Sequence, residues 1–267
     1  MLTDLGSPLE AFRQLVAIVA RLRGEQGCPW DRAQTSQSLR PYLLEEVYEV
    51  LEALDAGDDA SLRKELGDVL FQLALLARIA EERGAFTMDD VIERINDKMV
   101  TRHPHVFDPA HQSEQDEGSI AAWEARKAKE RSADSSALDG VPTHLPALLR
   151  AHRVAEKASA VGFDWPDAAG VREKLTEELG ELDQALASGD ADAIGEELGD
   201  VLFTLVNLGR HLPHSAEDAL RTATSRFESR FRRFEQALRQ QGLASDALDP
   251  VALDALWRAV KHPGSTP

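Results

Sequence analysis

The chain has 267 residues and a formal net charge of −17, from 47 acidic and 30 basic residues. An acidic surface disfavours nonspecific nucleic-acid binding, so no nucleic-acid partner is expected. The single cysteine excludes an intrachain disulfide, and no stretch approaches the roughly 18 apolar residues of a membrane span. The N-terminus also has no pattern typical of a signal peptide. We therefore expect a cytoplasmic protein with no membrane partner.

Helical patterns account for most of the first hundred residues. The spacing of apolar residues predicts an opening helix over about 9–23 and another that includes Leu43 to Leu54. A turn at Gly57 precedes a helix that we expect to be capped by Ser61 and to end near Glu82. A further helix is predicted over about 88–100.

The composition changes after residue 107. A polar stretch over 108–118 precedes a predicted helix over 119–131, in which Trp123 would anchor the segment. Residues 132–146 contain Ser, Asp, Gly and two prolines, which is typical of a linker. We therefore predict domains at 1–107 and 147–267, joined by a helix and linker over 108–146.

The second half repeats the first. Leu175 to Arg210 matches Leu43 to Arg78 at a constant offset of 132, with 18 of 36 positions identical. Further helices are predicted over about 216–241 and 253–260, and no segment has a convincing strand pattern. The sequence therefore predicts an all-α protein of two tandem helical-bundle domains, produced by an internal duplication.

One helix of each copy is apolar nearly all the way round, at 69–77 and at 201–208. Such a helix must be covered on every side, which a bundle of about a hundred residues achieves poorly. We therefore expect a homodimer.

Four carboxylates recur in each copy, as two pairs with i,i+3 spacing. They are Glu46, Glu49, Glu65 and Asp68 in the first copy, and Glu178, Glu181, Glu197 and Asp200 in the second. Each pair lies on one face of its helix, and the tight turn makes the two helices antiparallel. Converging carboxylates repel one another unless a cation binds them. Oxygen ligands favour Mg²⁺, with Mn²⁺ possible.

A glutamate-rich helix face is usually only a solvated surface. Here the pattern occurs twice, with the same interval between its two parts, while residues between them differ. A di-iron site would require Glu-x-x-His pairs, which are absent at these glutamates. The sequence therefore favours a magnesium site in each copy.

Several other residues are candidates for substrate binding. Arg226 and Arg230, and likewise Lys98 and Arg102, are spaced four apart and could bind phosphates, although a surface salt-bridge face is an equal alternative. Lys174 lies four residues before Glu178. Trp257 could stack on a base or pack in the core.

The full set of motifs resembles the all-α nucleoside triphosphate pyrophosphohydrolases. EExxE followed by ExxD, the opening GCPWD, the segment DKMVTRHPHVF and the second-copy VGFDW together resemble the doubled MazG family. The resemblance implies an Mg²⁺-dependent homodimer that converts nucleoside triphosphates to monophosphates and pyrophosphate. It also implies that the metal ligands of the second copy form the stronger site.

The same resemblance implies nucleotide contacts from Lys174, Glu177, Arg226, Arg230 and Trp257. Ala193 stands where the family can carry a basic residue, so one phosphate contact is missing, and Tyr42 replaces Lys174 in the first copy.

Our hypothesis for the reaction is in-line attack of water on the α-phosphorus, with Glu177 or Glu45 orienting the water. Two alternatives are a narrow-substrate pyrophosphatase, acting on dUTP or a phosphoribosyl nucleotide, and a non-enzymatic metal-binding helical scaffold.

Overall fold

The computed structural model describes residues 8–107, 136–243 and 249–261. The chain divides into two compact units, Met1–Gln115 and Asp116–Pro267. Within the described residues all regular secondary structure is helical, which confirms the all-α prediction. In this part of the chain, no helix combines the length and apolar character that a membrane crossing requires. The domain limits inside 108–146 and the predicted helix around Trp123 fall largely outside the described residues.

The described part of the first unit contains six helices. They are α1 (Pro8–Arg23), α2 (Pro29–Ala33), α3 (Arg40–Ala56), α4 (Asp59–Glu82), α5 (Met88–Arg102) and α6 (Pro104–Phe107). Helices α3 and α4 form a hairpin, and α1 packs against α4. Val19, Leu39, Leu75 and Ile79 form the centre of the buried core. These contacts hold α4, which carries the second carboxylate pair, in place.

The hairpin turn is built by Gly57 and Asp58. Gly57 has a φ of 64°, a conformation that residues with a Cβ rarely adopt. Asp58 then caps α4, because its carboxylate accepts hydrogen bonds from the backbone N–H groups of Ala60 and Ser61. The prediction that Ser61 caps this helix was therefore wrong. The capping residue is Asp58, which lies three residues before Ser61. The Ser61 hydroxyl itself donates a hydrogen bond to Asp58 Oδ2 at 2.7 Å.

The described part of the second unit contains five helices. They are α7 (Ala147–Ser159), α8 (Ala168–Ser188), α9 (Ala191–Arg210), α10 (Ala216–Gln241) and α11 (Pro250–Lys261). The α8–α9 hairpin repeats the α3–α4 turn, with Gly189 at a φ of 73° and Asp190 as the cap of α9. Helix α11 begins three residues before its predicted start at Leu253.

Each central helix leaves one row of leucines exposed. Leu66, Leu70 and Leu73 on α4 are 44–48% exposed, and the equivalent Leu198, Leu202 and Leu205 on α9 are 42–48% exposed. Each row follows i, i+4, i+7 spacing, so its members share one face of their helix. The homodimer prediction was made from the apolar segments 69–77 and 201–208, which contain two leucines of each row. Dimerisation stays a prediction.

Candidate metal centres

The first candidate centre lies between α3 and α4. Glu46 and Glu49 from α3 and Glu65 from α4 each place a carboxylate oxygen within 4.8 Å of the others. The spacing of three residues brings Glu46 and Glu49 to one face of α3, and the hairpin brings that face to α4. Glu65 is only 8% exposed, which is unusual for a glutamate.

The second candidate centre repeats this arrangement between α8 and α9. Glu178, Glu181 and Glu197 bring their carboxylate oxygens within 4.8 Å of one another. The buried glutamate is not the equivalent one in the two copies. In the second cluster it is Glu178, at 6% exposed. The structure thus brings together the three predicted glutamates of each copy.

The two predicted aspartates are less alike than the sequence suggests. Asp68 lies near enough to the first cluster for its charge to raise the pKa of Glu46. Both aspartates stand outside the three-glutamate groups, and Asp68 is half-buried whereas Asp200 is exposed. The fourth predicted ligand is therefore more exposed in the second unit.

Mutual repulsion is visible in the carboxyl groups of the first cluster. A hydrogen bond to Glu65, together with the Glu65 charge, raises the pKa of Glu49. Burial raises the pKa of Glu46, and the neighbouring Asp68 charge adds to this effect. The hydrogen bond from Lys64 lowers the pKa of Glu65, and the hydrogen bond with Glu49 acts in the same direction. The pKa values of these two neighbouring carboxyls are therefore shifted in opposite directions.

In the second cluster, the pKa of one glutamate, Glu181, is raised. Burial raises the pKa of Glu181, and its hydrogen bond with Glu178 acts in the same direction. The charges of Glu197 and Glu178 contribute further. Both clusters therefore hold negative charge that a divalent cation would neutralise.

One lysine accompanies each cluster, and the two come from opposite helices. In the first unit, Lys64 Nζ on α4 lies 2.9 Å from Glu65 Oε1 and 3.7 Å from Asp68 Oδ2. In the second unit, Lys174 Nζ on α8 lies 2.7 Å from Glu177 Oε1. The carboxylates raise the pKa of both lysines, chiefly through hydrogen bonds with Glu65 and Glu177 respectively.

Lys64 was not among the predicted site residues. The sequence shows Tyr42 at the position equivalent to Lys174, from which we expected no lysine at the first cluster. The i,i+4 spacing of Lys64 and Asp68 was the signal that could have found it. A lysine ammonium group therefore lies beside each cluster. The two lysines are not at equivalent positions of the two copies.

Gln72 was also missed, because it lies inside an otherwise apolar run of α4. Its side chain is buried, at 6% exposed, and its amide lowers the pKa of Glu46, which burial raises. Its position four residues after Asp68 was the available signal. Thr204 occupies the equivalent position of the second unit and is also buried.

The predicted phosphate-binding cations lie on two other helices. Lys98 is exposed and Arg102 half-buried on α5, which packs against α4. Arg226 is exposed and Arg230 half-buried on α10, which packs against α9. Among the described ion pairs, Lys64 and Lys174 are the cations that contact the two clusters.

Trp257 packs against the phenylalanines of α10. Its ring centre lies 5.4 Å from that of Phe227 and 6.0 Å from that of Phe234. Together with Phe231 and Leu253, these residues line an apolar pocket between α10 and α11. Trp257 therefore holds α11 in place, while stacking on a base stays a prediction.

Comparison with known proteins identifies the family to which this helical architecture belongs. The family model described as "MazG nucleotide pyrophosphohydrolase domain" matches residues 34–107 and 168–233. The chain belongs to the MazG nucleotide pyrophosphohydrolase family. The two matched ranges contain both glutamate clusters and both lysines, which confirms the resemblance that the sequence motifs suggested. Trp257 lies beyond the second range.

Full-length relatives of the MazG family agree with this assignment. The nucleoside triphosphate pyrophosphohydrolase/pyrophosphatase MazG of Thermotoga maritima is 46% identical over 253 residues, covering 94% of this chain and 95% of the relative. The nucleoside triphosphate pyrophosphohydrolase of Escherichia coli K12 is 43% identical, covering 93% and 96%. An uncharacterized Bacillus subtilis protein, YabN, is 42% identical over 94% of this chain but 52% of its own length.

Proposed function

We propose that the chain hydrolyses nucleoside triphosphates to nucleoside monophosphates and pyrophosphate. The observation that carries the proposal is the duplicated group of three glutamates between paired helices, in a chain whose relatives from T. maritima and E. coli are named for this activity. The acid groups lie within both ranges that match the family.

The residues of each cluster fit a divalent cation. All of the clustered donors are carboxylate oxygens, which suits Mg²⁺, with Mn²⁺ as an alternative. A hydrogen bond to Glu65 raises the pKa of Glu49 and burial raises that of Glu181, and the charges of neighbouring carboxylates add to both shifts. We assign Glu46, Glu49, Glu65 and Asp68 to one cation site and Glu178, Glu181, Glu197 and Asp200 to the other. When bound, the cation would neutralise phosphate charge and lower the pKa of water.

The remaining carboxylates next to each cluster would act on the attacking water. Glu177 precedes Glu178, is 57% exposed, and forms an ion pair with Lys174. Glu45 has the equivalent position in the first unit and is exposed. A carboxylate at this position can accept a proton from water and direct its lone pair at the α-phosphorus, so that pyrophosphate leaves in line.

Cationic and aromatic residues would hold the nucleotide. Lys174 lies beside the second cluster and would exchange its bond to Glu177 for a phosphate oxygen. Arg226 and Arg230 would contact other phosphate oxygens in the second unit, with Lys98 and Arg102 in the same role in the first. Trp257 would stack on the base at the edge of its aromatic pocket.

We infer that the second unit contains the stronger site. Its Lys174 already contacts both the buried Glu178 and the candidate general base Glu177. We also propose a cytoplasmic homodimer in which the two leucine rows are covered. The acidic chain is not expected to bind nucleic acid or membranes.

The experiment that tests the activity is chromatographic product analysis after incubation with each common NTP and dNTP and Mg²⁺. Monophosphate plus pyrophosphate is expected, which is the signature of attack on the α-phosphorus. Diphosphate plus phosphate would contradict the mechanism while leaving the metal sites intact.

Two other functions make different predictions in the same experiment. A narrow-substrate pyrophosphatase would convert dUTP or a phosphoribosyl nucleotide alone. A non-enzymatic helical scaffold would bind Mg²⁺ and convert no nucleotide.

A further inference from the structure

In each unit, a lysine contacts the buried glutamate of the cluster. Lys64 Nζ lies 2.9 Å from Oε1 and 3.1 Å from Oε2 of Glu65, which is 8% exposed. Lys174 Nζ lies 3.0 Å from Oε1 of Glu178, which is 6% exposed. The lysine and the buried acid therefore lie together on α4 in the first unit and together on α8 in the second.

The duplicated sequence preserves neither of these lysines. The residue equivalent to Lys64 in the second copy is Glu196, and the residue equivalent to Lys174 in the first copy is Tyr42. Among the described ion pairs, each cluster nevertheless contacts one lysine. The same contact is thus made from different helices, which indicates that the ammonium group is needed at the cluster itself and is not a remnant of the shared helical framework.

Lys64 is also accessible to a ligand. Its side chain is 67% exposed and lines an open cavity of about 490 Å³ beside the α3–α4 hairpin. Of the described residues that line this cavity, Lys64 is the one cation, and four are carboxylates, namely Glu49, Glu52, Asp58 and Glu65. A triphosphate that enters so acidic a cavity is repelled unless it meets positive charge. A metal ion at the cluster and the Lys64 ammonium would together supply that charge.

We propose that Lys64 binds a phosphate oxygen of the nucleoside triphosphate in the first unit, where it takes the role of Lys174 in the second. On binding, Lys64 Nζ exchanges its hydrogen bonds with Glu65 for a phosphate oxygen, and the carboxylate is free to hold the metal ion. The first unit is therefore a nucleotide-binding site whose lysine comes from α4 instead of from the preceding helix. The inference rests on the proposed function, because it requires that the cluster handles a metal-bound triphosphate.

The test measures nucleotide binding to the full-length protein by calorimetry, with the second site disabled by Glu178→Ala and Glu181→Ala. This double variant is the first-site background. The probe is an ATP analogue with a methylene group between the α- and β-phosphorus, which is titrated in the presence of Mn²⁺. Lys64→Met keeps the length of the side chain and removes its charge. Lys64→Glu installs the residue that the duplicated helix already accommodates at this position, so folding is expected to persist.

In the first-site background, Lys64→Met should weaken binding of the analogue about 10-fold to 100-fold, because a charged hydrogen bond to phosphate is lost. Lys64→Glu should weaken it further, since it adds a negative charge. Tyr42→Lys, added to Lys64→Met, provides a lysine at the position that it has in the second unit and should recover most of the affinity. Mn²⁺ alone should bind at least as tightly to Lys64→Met as to the background, because the ammonium competes with the cation for Glu65.

An affinity for the analogue that Lys64→Met left unchanged would overturn the inference. A loss of Mn²⁺ affinity alongside the loss of nucleotide affinity would also overturn it, because Lys64 would then only maintain the cluster. If the first-site background bound no analogue and the wild-type protein did, the inference would fail while the proposed function stood. A wild-type protein that bound no analogue and released no pyrophosphate from any nucleotide would refute the proposed function, and the inference with it.

Discussion

Lys174 Nζ lies 3.0 Å from Oε1 of the buried Glu178 and 2.7 Å from Oε1 of Glu177. The lysine therefore occupies, with its own positive charge, part of the space in which a cation and a phosphate would meet. This relationship makes the effects of Lys174 on metal binding and on nucleotide binding opposite in sign.

Replacing Lys174 with methionine should tighten the binding of Mg²⁺ alone and weaken the binding of nucleotide. The ammonium competes with the metal for Glu178, whereas in the substrate complex it contributes a charged hydrogen bond to phosphate. Loss of that hydrogen bond is expected to raise KM roughly 10-fold to 100-fold. Calorimetric Mg²⁺ titration and steady-state kinetics measure the two effects. A variant in which both affinities fell would show that Lys174 only maintains the local structure.

Glu178→Ala should abolish most nucleotide turnover, whereas Glu46→Ala at the equivalent position should leave most of it. Loss of a buried metal ligand is expected to lower kcat by at least about 100-fold at the site affected. The two variants are matched controls, because they remove the same side chain from the same position of the two copies. Normal turnover by Glu178→Ala would eliminate the second unit as the main active site.

Metal binding should weaken as the pH falls. The carboxyl pKa values of Glu49 and Glu181 are raised above 4.5, so these groups take up protons at a higher pH than ordinary glutamates. A cation must displace those protons, and its apparent affinity therefore declines as the pH falls from neutral toward 4.5. Calorimetry in buffers of different ionisation enthalpy would count the protons released. An affinity that stayed constant as the pH fell toward 4.5, with no proton release, would contradict the raised pKa of these two carboxyls.

Arg23 should stabilise the first unit through Glu82. Its side chain is 7% exposed, lies 2.7 Å from Glu82 Oε2, and also donates to the Gln34 carbonyl oxygen at 3.2 Å. Arg23→Met should lower the free energy of unfolding of this unit by about 2 kcal/mol. Because the hydrogen bond from Arg23 lowers the pKa of Glu82, that pair contributes above the ordinary pKa of 4.5 and is lost as the pH falls below it.

Urea unfolding near neutral and near pH 3 measures the Arg23 effect, with the transitions of the two units analysed separately. Arg258→Met is the control, because Arg258 forms an ion pair with Asp254 at the surface. The two side chains are 76% and 53% exposed, respectively. Its effect should stay within about 0.5 kcal/mol. A difference between Arg23→Met and the parent that grew in acid would have the wrong sign for this pair.

The leucine rows should mediate dimerisation. Leu70→Glu combined with Leu202→Glu would place a charge at the centre of each row and is expected to shift the protein to a monomer. Sedimentation equilibrium gives the mass directly. Leu9→Glu is the matched control, because Leu9 is 59% exposed on a different helix. A double variant that stayed dimeric would place the interface elsewhere.

The sequence alone was sufficient to predict the helices, the duplication and the glutamates that converge. Each of these depends on spacing along the chain: three residues separate Glu46 from Glu49, and a single turn at Gly57 reverses the direction of the next helix. The same local rules placed the cap of α4 wrongly at Ser61. Asp58 accepts from the amide groups of Ala60 and Ser61, so the helix begins at Asp59, two residues before Ser61.

Only the tertiary structure decided how each cluster is supported. Burial depends on neighbours distant along the chain, which is why Glu65 is the enclosed acid of one copy and Glu178 that of the other. The compensating lysine likewise depends on which helix faces the cluster, so Lys64 and Lys174 have the same charge at unrelated positions of the repeat. A repeated motif determines which acids meet, because spacing is local. The packing around them determines which acid is buried and which cation neutralises it.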